Sequence, residues 1–569
     1  GLDGSPIRAY DCVSCVGFVS CLYGGVLTMR NPGWKMLLWP GLVVALAAVG
    51  CHESEARKAE EAEREALHAL GATVGTLADL AKPGLVVVEG CGLVTGLPGT
   101  GSAYCPPQLR SYLKQYILTQ LPTERVNLDA LIESRNTAVV WLEAAIPETP
   151  SLDQHFDVRV SLIPGSEATS IRGGWLNRTD LVARGTLGVD TQPLAKVSGA
   201  VFINPVSPVD TDSKSGMILG GGRTLYEYTA LLRLRRGNYR AASEIRNRLS
   251  DRYGPNVGRA VSNRDIEVKN PPEYRLRRDR FLAMVPATYI EVSDELIAAR
   301  VDYWVQQLMT AADKQNAEIA LEAVGREGMD RLVGLLQESD AEIRLRAARC
   351  LLGFGDDRGF PVLRELAMDA KSPFRMEAFN AIMVSARRND AVALAQRLLR
   401  DDDVTMVLAA YEHLRQLDDP AVSREFVGRS FCLERIVQTN RRAIFVSRSG
   451  DPRIVLFGAP LECSNSAFVE SPDQSIVVNA RPEDTSISIT RRHPIRGSIM
   501  GPVRVGFDVG AVIRVLGGEA SAGPGGQLQG LGASYEEVLA VLEQLIAKGV
   551  VTAEFWPGPL PKIDLPVKK

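Results

Sequence analysis

The segment Leu85–Gly101, Leu-Val-Val-Val-Glu-Gly-Cys-Gly-Leu-Val-Thr-Gly-Leu-Pro-Gly-Thr-Gly, has the composition of a phosphate cradle. A β-branched run leads into clustered glycines, and Gly90-x-Gly92-x-x-x-Gly96 is close in spacing to a dinucleotide-binding fingerprint. That chemistry needs the glycine turn to open a helix whose N-terminal amides face a pyrophosphate. Here Pro98, Gly99 and Gly101 follow, all unfavourable to a helix, and the first helical period waits until Pro107. No second parallel strand stands in place to carry a ribose-binding acid, and the run Gly-Leu-Pro-Gly-Thr-Gly-Ser-Ala lacks the lysine of a P-loop. Gly90, Gly92, Gly96, Gly99 and Gly101 therefore read as a structural loop whose glycines permit tight turns and close backbone approach. No cofactor is expected.

Other reactive residue types are equally sparse. The five histidines, His52, His68, His155, His413 and His493, do not cluster, so no histidine-based metal or acid–base centre is expected. Cys12 and Cys15 form a Cys-x-x-Cys without a second ligand pair, which argues against zinc. Cys91–Cys105 and Cys432–Cys463 could be disulfides in an oxidising compartment, with free buried thiols as the alternative. Neither those four nor Cys350 has a histidine close in sequence to activate it as a nucleophile. Arg233, Arg235, Arg236, Arg240, Arg246 and Arg248 form one basic run and Arg275, Arg277, Arg278 and Arg280 a second. They read as solvated faces paired with local acids more readily than as contacts to an acidic neighbour. The net charge of −3 and the absence of interleaved aromatics give no argument for nucleic acid. Gly220-Gly-Gly-Arg reads as a flexible turn before an anion nest. No catalytic residue is expected.

The 569 residues allow several domains. Met29 is a plausible start, with Arg30 and Lys35 preceding an apolar run from Met36 to Gly50, too short for a membrane span. Ala48-Val49-Gly50-Cys51 resembles a bacterial lipoprotein signal cleaved before a lipidated Cys51, the alternative being an ordinary signal peptide. Residues 1–28 are then an upstream extension, 29–51 the signal, and 52–76 a charged helical tether rich in Glu, Ala and Arg.

Residues 77–300 read as a β-rich body of α+β class. Leu85–Val88 is a strand before the glycines; Leu109, Tyr112, Leu113, Tyr116 and Ile117 set a helical period. Phe156, Val158 and Val160 alternate with Asp157, Arg159 and Ser161 as a half-buried strand. Further strands are expected at 137–145, 197–203, 224–234 and 264–268, with a helix opened by Asn238. From about 301 to 430 Glu, Ala, Leu and Arg dominate. The anchors Ile343, Phe374 and Val404 recur at about thirty residues, the period of stacked helix pairs. Arg344 and Arg375 follow their anchors as in HEAT-type repeats, and Leu332, Leu335, Leu336, Leu363, Leu366, Leu394, Leu398 and Leu399 would hide one face of each pair. A plain helical bundle is the alternative. Residues 431–569 return to β texture, with a Ser-Gly-Asp-Pro hairpin turn near 450, short strands at 475–478 and 486–490, a glycine-rich loop over 517–532, a helix from Ser534 to Lys548 and a closing strand at 550–556. The helical middle thus interrupts a β-rich body held in two sequence segments.

Val88-Glu-Gly-Cys-Gly-Leu-Val-Thr-Gly-Leu-Pro-Gly-Thr-Gly-Ser resembles the start of the bacterial flagellar P-ring protein family, where Gly-Tyr-Gly-Leu-Val-x-Gly-Leu-x-Gly-Thr-Gly-Asp occurs. Cys91 replaces the aromatic residue and Ser102 the aspartate. In the same order Phe156-Asp-Val-Arg-Val-Ser is similar to an Ile-Asp-Val-Thr-Val-Ser strand, Ser170-Ile-Arg-Gly-Gly-Trp-Leu to a Ser-Leu-Arg-Gly-Gly-x-Leu turn, and Leu232-Arg-Leu-Arg with Tyr239-Arg-Ala-Ala-Ser-Glu-Ile to a later strand–helix pair. Ala443–Val455 and Ser534–Trp556 resemble the family's hairpin and closing elements, so the likeness covers roughly 77–290 and 435–556. The lipoprotein-type signal and the helical interruption depart from the family. The resemblance implies a non-enzymatic subunit of the periplasmic P ring of the flagellar basal body, a homo-oligomer around the rod, near peptidoglycan and the outer-membrane ring. Lipid at Cys51 would tether it to the outer membrane, and the HEAT-like helices would offer a surface to a further protein. The alternative is a non-flagellar envelope lipoprotein acting as a repeat-based adaptor.

Overall fold

A computed structural model describes residues 65–81, 84–120, 127–188, 191–205, 213–522 and 528–561. Residues up to Leu70 form one unit, of which 65–69 are helical, and residues from Gly71 form a second. The signal segment, Cys51 and most of the expected tether lie outside the described residues. The second unit opens with α1 (Val74–Leu77) and β1 (Ala78–Leu80); Val74 is fully buried, so the body begins ahead of the expected Leu77 boundary.

Six antiparallel strands then close a barrel. They are β2 (Val86–Thr95), β3 (Ala138–Ile146), β4 (His155–Leu162), β5 (Trp175–Ala183), β6 (Ala195–Ala200) and β7 (Ser215–Thr224), in the order β2-β3-β4-β7-β6-β5. Closure leaves no open edge in this sheet. The alternation read for β4 holds: Phe156, Val158 and Val160 point into the barrel core with Val88, Leu142 and Ile218. Between β2 and β3, α2 (Pro107–Gln120) and α3 (Leu128–Ile132) cover the outside, packing Leu113 and Ile132 on Cys91, Leu93 and Val139.

A second sheet, β1-β8-β10-β9, follows from β8 (Ala230–Leu234), β9 (Gly258–Ala260) and β10 (Asp265–Val268), with α4 (Tyr239–Tyr253) and α5 (Arg278–Ala287) in its core through Ile245, Leu249, Phe281 and Met284. Asn238 caps α4 as its position predicts, its side chain accepting from the Arg240 and Ala241 amides. The single strand expected over 224–234 is instead the end of β7, a connection and β8.

The helical middle comprises α6 (Asp294–Thr310), α7 (Gln315–Val324), α8 (Met329–Leu335), α9 (Ala341–Gly353), α10 (Phe360–Met368), α11 (Arg375–Ser385), α12 (Arg388–Leu398) and α13 (Val404–Gln416). Alternate helices α7, α9 and α11 lie side by side, with α10 packed on both α9 and α11. The leucines singled out from sequence are buried in one continuous core. Arg344 donates to the Glu338 and Ser339 carbonyls and Arg375 to the Ala367 carbonyl, so each ties its helix to the end of the segment before it. The helices run from Asp294 to Gln416 and strands resume at Ser423, a shorter span at its C-terminal end than the expected 301–430.

The chain closes with β11 (Ser423–Val427), β12 (Phe431–Ile436), β13 (Ala443–Val446), β14 (Arg453–Phe457), β15 (Ala467–Glu470), β16 (Ile476–Ala480), β17 (Ile487–Arg492), β18 (Ile499–Val505), α14 (Val509–Gly517), α15 (Tyr535–Ala547) and β19 (Glu554–Pro557). A mixed sheet, β11-β12-β14-β13-β19, has β12–β14 and β13–β19 parallel. Its centre is buried on both faces, which is why Ala443–Val446 and Ile454–Phe457 read as apolar runs. One face meets Tyr411 and Leu414 of α13; the other shares a core with α14, α15 and the antiparallel sheet β15-β16-β17-β18. Ser534 and Glu537 form a capping box on α15.

A buried ion cluster joins the N-terminal elements to the helices. Glu318 of α7 is fully buried, 2.7 Å from Arg280 of α5, 3.1 Å from Arg346 and 2.6 Å from Arg349 of α9. Arg280 also meets Glu322 at 2.6 Å, and Arg346 and Arg349 both reach Glu377 of α11. Removing one member of such a cluster strands buried charge. Glu318→Ala is expected to cost about 3 kcal/mol in urea unfolding, whereas a loss below about 1 kcal/mol, the scale of an exposed pair, would contradict this role.

Candidate functional site

The glycine segment is not one loop. Gly90 and Gly92 lie inside β2, on the face that turns into the barrel beside Val88 and Val94. A Cβ on Gly90 would sit 2.7 Å from the Asp180 carbonyl and one on Gly92 2.6 Å from Thr179 Oγ1 and 3.0 Å from Leu176. These glycines let β5 cross β2 closely, where the pairing register shifts between Glu89 and Val94. The expectation of a loop from Gly90 onward is corrected: the lack of side chains serves packing in a strand, not a turn. Gly96 and Gly99, both at φ +79°, make the turn itself, and Gly101 fits against backbone, its Cβ position 2.0 Å from the Thr137 carbonyl. The amides of Gly99, Gly101 and Ser102 donate within the protein, to Leu97, Arg135 and Thr137. They are committed to the fold.

The barrel meets the C-terminal lobe at Asp157. Its carboxylate accepts from the Gly220 amide at 2.7 Å, the Gly450 amide at 2.9 Å and Ser449 Oγ at 2.5 Å. Gly220 has φ +58° at a β4–β7 register shift, so Gly220-Gly-Gly is a strand bulge serving as a nest for an internal anion rather than the flexible turn expected. Next to it Asp451 takes Arg415 of α13 at 3.2 Å and His155 at 3.3 Å. Arg415 and Tyr411 in turn hold the fully buried Glu434 of β12, at 3.0 and 2.5 Å. The turn at 447–452 therefore ties barrel, helices and mixed sheet together. Its sequence announced a hairpin turn; nothing in it announced the distant carboxylates.

Two cavities border this joint, of about 560 and 760 Å³, and Glu536 of α15 lines both. Glu536 accepts from the Ile203 amide at 2.9 Å and lies 3.5 Å from Arg172. Burial pushes its carboxyl up to about 7, with Arg172 partly opposing. The turn Ser170–Trp175 and the glycine turn at Gly96–Thr100 line the larger cavity, so two family-like motifs read from sequence converge there. Tyr535 Oη, close by, donates to the Ser447 and Arg453 carbonyls.

The cysteines at 91, 105, 350, 432 and 463 are free and buried. Cys91 and Cys105 share one cluster as thiols, and burial pushes Cys91 up to about 12. Cys432 and Cys463 stand on opposite faces of the mixed sheet, Cys432 toward Glu434 and Arg415 and Cys463 in the core with α14 and α15, which corrects that pairing. The first basic run is paired locally, Arg233 with Asp265, Arg235 with Asp79 and Arg240 with Glu244. The second is not a solvated face: Arg277, Arg278 and Arg280 bind Glu322, Glu227 and Glu318 within the body. Among the described residues no group of His, Cys, Asp and Glu could hold a metal ion, and no helix is long and apolar enough to cross a membrane.

Residues 74–301 match the family model described as Flagellar P-ring protein. The Flagellar P-ring protein of Wolinella succinogenes is 31% identical over 218 residues, 36% of this chain and 59% of its own. That of Shewanella amazonensis is 28% identical over 219 residues, 36% of this chain and 58% of its own. The chain thus spans less than two thirds of the length of these relatives. The family match takes in the barrel, the β1-β8-β10-β9 sheet and the start of α6; the resemblance read over 435–556 lies outside it. Among solved structures, an engineered protein aligns over 25% of this chain and 72% of its own at 24% identity, with a TM-score of 0.17, too low to bear on the fold.

Two outcomes follow from the geometry. Gly92→Val is expected to overpack the barrel and cost about 1–3 kcal/mol in denaturant unfolding. Gly96→Ala has open space and pays only backbone strain, again on the order of 1 kcal/mol; a Gly92→Val protein of unchanged midpoint would contradict the barrel packing. Because the folded carboxyl of Glu536 is raised from 4.5 to about 7, the folded state keeps its proton longer than the unfolded chain. Its contribution to stability is therefore full below about 4.5 and declines as pH rises to about 7. Glu536→Gln should flatten that part of the stability–pH curve, and an unaltered slope would refute the assignment.

Proposed function

We propose, from the match of residues 74–301 to the Flagellar P-ring protein family model, a structural subunit of the periplasmic P ring of a bacterial flagellar basal body. The observation that carries this reading is the coincidence of the matched segment with a complete closed barrel and its companion sheet, so that the likeness covers whole folding units and not scattered motifs. The subunit is non-enzymatic and assembles with copies of itself through head-to-tail contacts that close by rotation around the rod. Rod and outer-membrane ring proteins are its partners, and peptidoglycan and the outer membrane its surroundings. Lipid on Cys51 tethers it there, and the HEAT-like helices between Asp294 and Gln416 meet a further protein partner.

One observation favours a second reading. The family match stops as the helices begin, and the whole helical stretch past residue 301 lies beyond it. A non-flagellar envelope lipoprotein that binds partners through those helices is therefore the alternative. Electron microscopy of the purified chain at high concentration separates the two: closed rings are expected, and persistent monomers would sink the ring reading.

A further inference from the structure

The smaller cavity carries a charge pattern that the assembly reading does not use. Across three neighbouring barrel strands, His155 of β4 stands opposite Arg223 of β7, and Arg223 opposite Lys196 of β6. Directly opposed residues on antiparallel strands share a face, so His155, Arg223 and Lys196 form one row on the outside of the barrel, with the two cations Arg223 and Lys196 directly opposed. Like charges placed directly opposite destabilise a sheet. Lys196 has partial relief from Asp180, its opposite on β5, at 4.0 Å. Arg223 and Arg178 have no ion-pair partner among the described residues, and Arg429 on the far wall meets only the exposed Glu519, at 3.3 Å.

The row, Arg178 and Arg429 all line the cavity of about 560 Å³, together with Trp175, a residue 42% exposed. That volume suits a small-molecule or oligomeric ligand. Three acids line the walls: Asp451 is engaged with Arg415 and His155 and Glu536 with Arg172 and the Ile203 amide, while the exposed Asp153 has no ion-pair partner among the described residues. What faces an incoming ligand is therefore an excess of guanidinium and ammonium groups, from Arg178, Lys196, Arg223 and Arg429, over the one free carboxylate of Asp153, beside one open aromatic face. Guanidinium forks match carboxylates in geometry as well as charge. A lone aromatic platform offers one ring face to stack on, whereas a single-stranded nucleic acid needs a succession of them.

We propose that this cavity binds a carboxylate-bearing oligosaccharide, one sugar ring resting on Trp175 and the acid groups paired with Arg223, Lys196 and Arg178. The site goes beyond the ring-subunit reading and does not depend on it, since it is complete within one chain.

Binding of oligogalacturonate to the full-length protein, followed by tryptophan fluorescence and calorimetry, tests this. Saturable binding that weakens with added salt is expected, with little binding of neutral chitooligosaccharide. Arg223→Gln and Trp175→Ala should each weaken binding by about tenfold, the scale of one charge-assisted contact. Lys196→Gln should weaken it too while leaving the melting temperature unchanged or raised, because it relieves the like-charge pair. Failure of oligogalacturonate to bind, or binding indifferent to Arg223→Gln in a folded protein, would overturn the proposal. Equal affinity for inorganic phosphate would reduce the site to a general anion site, and equal affinity for polyglutamate would reassign it to an acidic protein segment; either result overturns the carbohydrate assignment.

Discussion

A carboxylate without access to water is the constraint on which much of this molecule depends. Glu318 is wholly buried, and an uncompensated charge there would be prohibitive. Three arginines from two different helices must therefore converge on it, and Arg280 belongs to the N-terminal body while Arg346 and Arg349 belong to the helical middle. The cluster gains little net energy over an apolar core of similar shape. What it does is reject misdocking, because any other seating of α5 on α7 and α9 leaves buried charge unpaired. Glu434 repeats the device further along, held by Tyr411 and Arg415 where α13 packs on the mixed sheet. The helical middle is thus fastened at both ends by buried acids rather than hanging from the body as a separable insertion.

The barrel is fastened by a milder version of the same logic. Asp157 is only partly buried, yet its carboxylate collects two backbone amides and a hydroxyl from elements far apart in sequence. Gly220 must adopt a positive φ to present its amide, so a bulge that weakens the β4–β7 ladder strengthens the contact to the 447–452 turn. The cavities lie beside this contact, and the motifs most recognisable in the sequence line the larger of them.

Local chemistry was readable in advance and distant chemistry was not. The cap at Asn238, the alternation from Phe156 to Val160 and the helix period from Leu109 to Ile117 each depend on neighbours within a turn or two, and each stands as expected. Gly90 and Gly92 misled because a glycine required by a close strand crossing has the same letter as one required by a turn; only the partner strand distinguishes them. Cys432 and Cys463 looked pairable at their spacing, but a sheet stands between them. The helix α14 went unread because Gly510, Gly517 and Gly518 around it resemble the loop that follows. Glu318, Glu434 and Glu536 gave no signal at all, since each is an ordinary glutamate until residues from other elements surround it.

The wide separation of the contacting residues also sets the timing of folding. Ser449 and Asp157 are 292 residues apart, and the Ile203 amide waits for Glu536, 333 residues later. β13 acquires its parallel neighbour only when β19, near the end of the described chain, is available. Such non-local closure is slow compared with helix formation. A chain emerging from its N-terminus can close the barrel early, but its joint to the C-terminal lobe must stay open until almost all of the polypeptide is present. During that interval the faces of β13 and β14 that meet α14 and α15 have no cover, so the nascent molecule depends on whatever shields unfolded chains in its compartment.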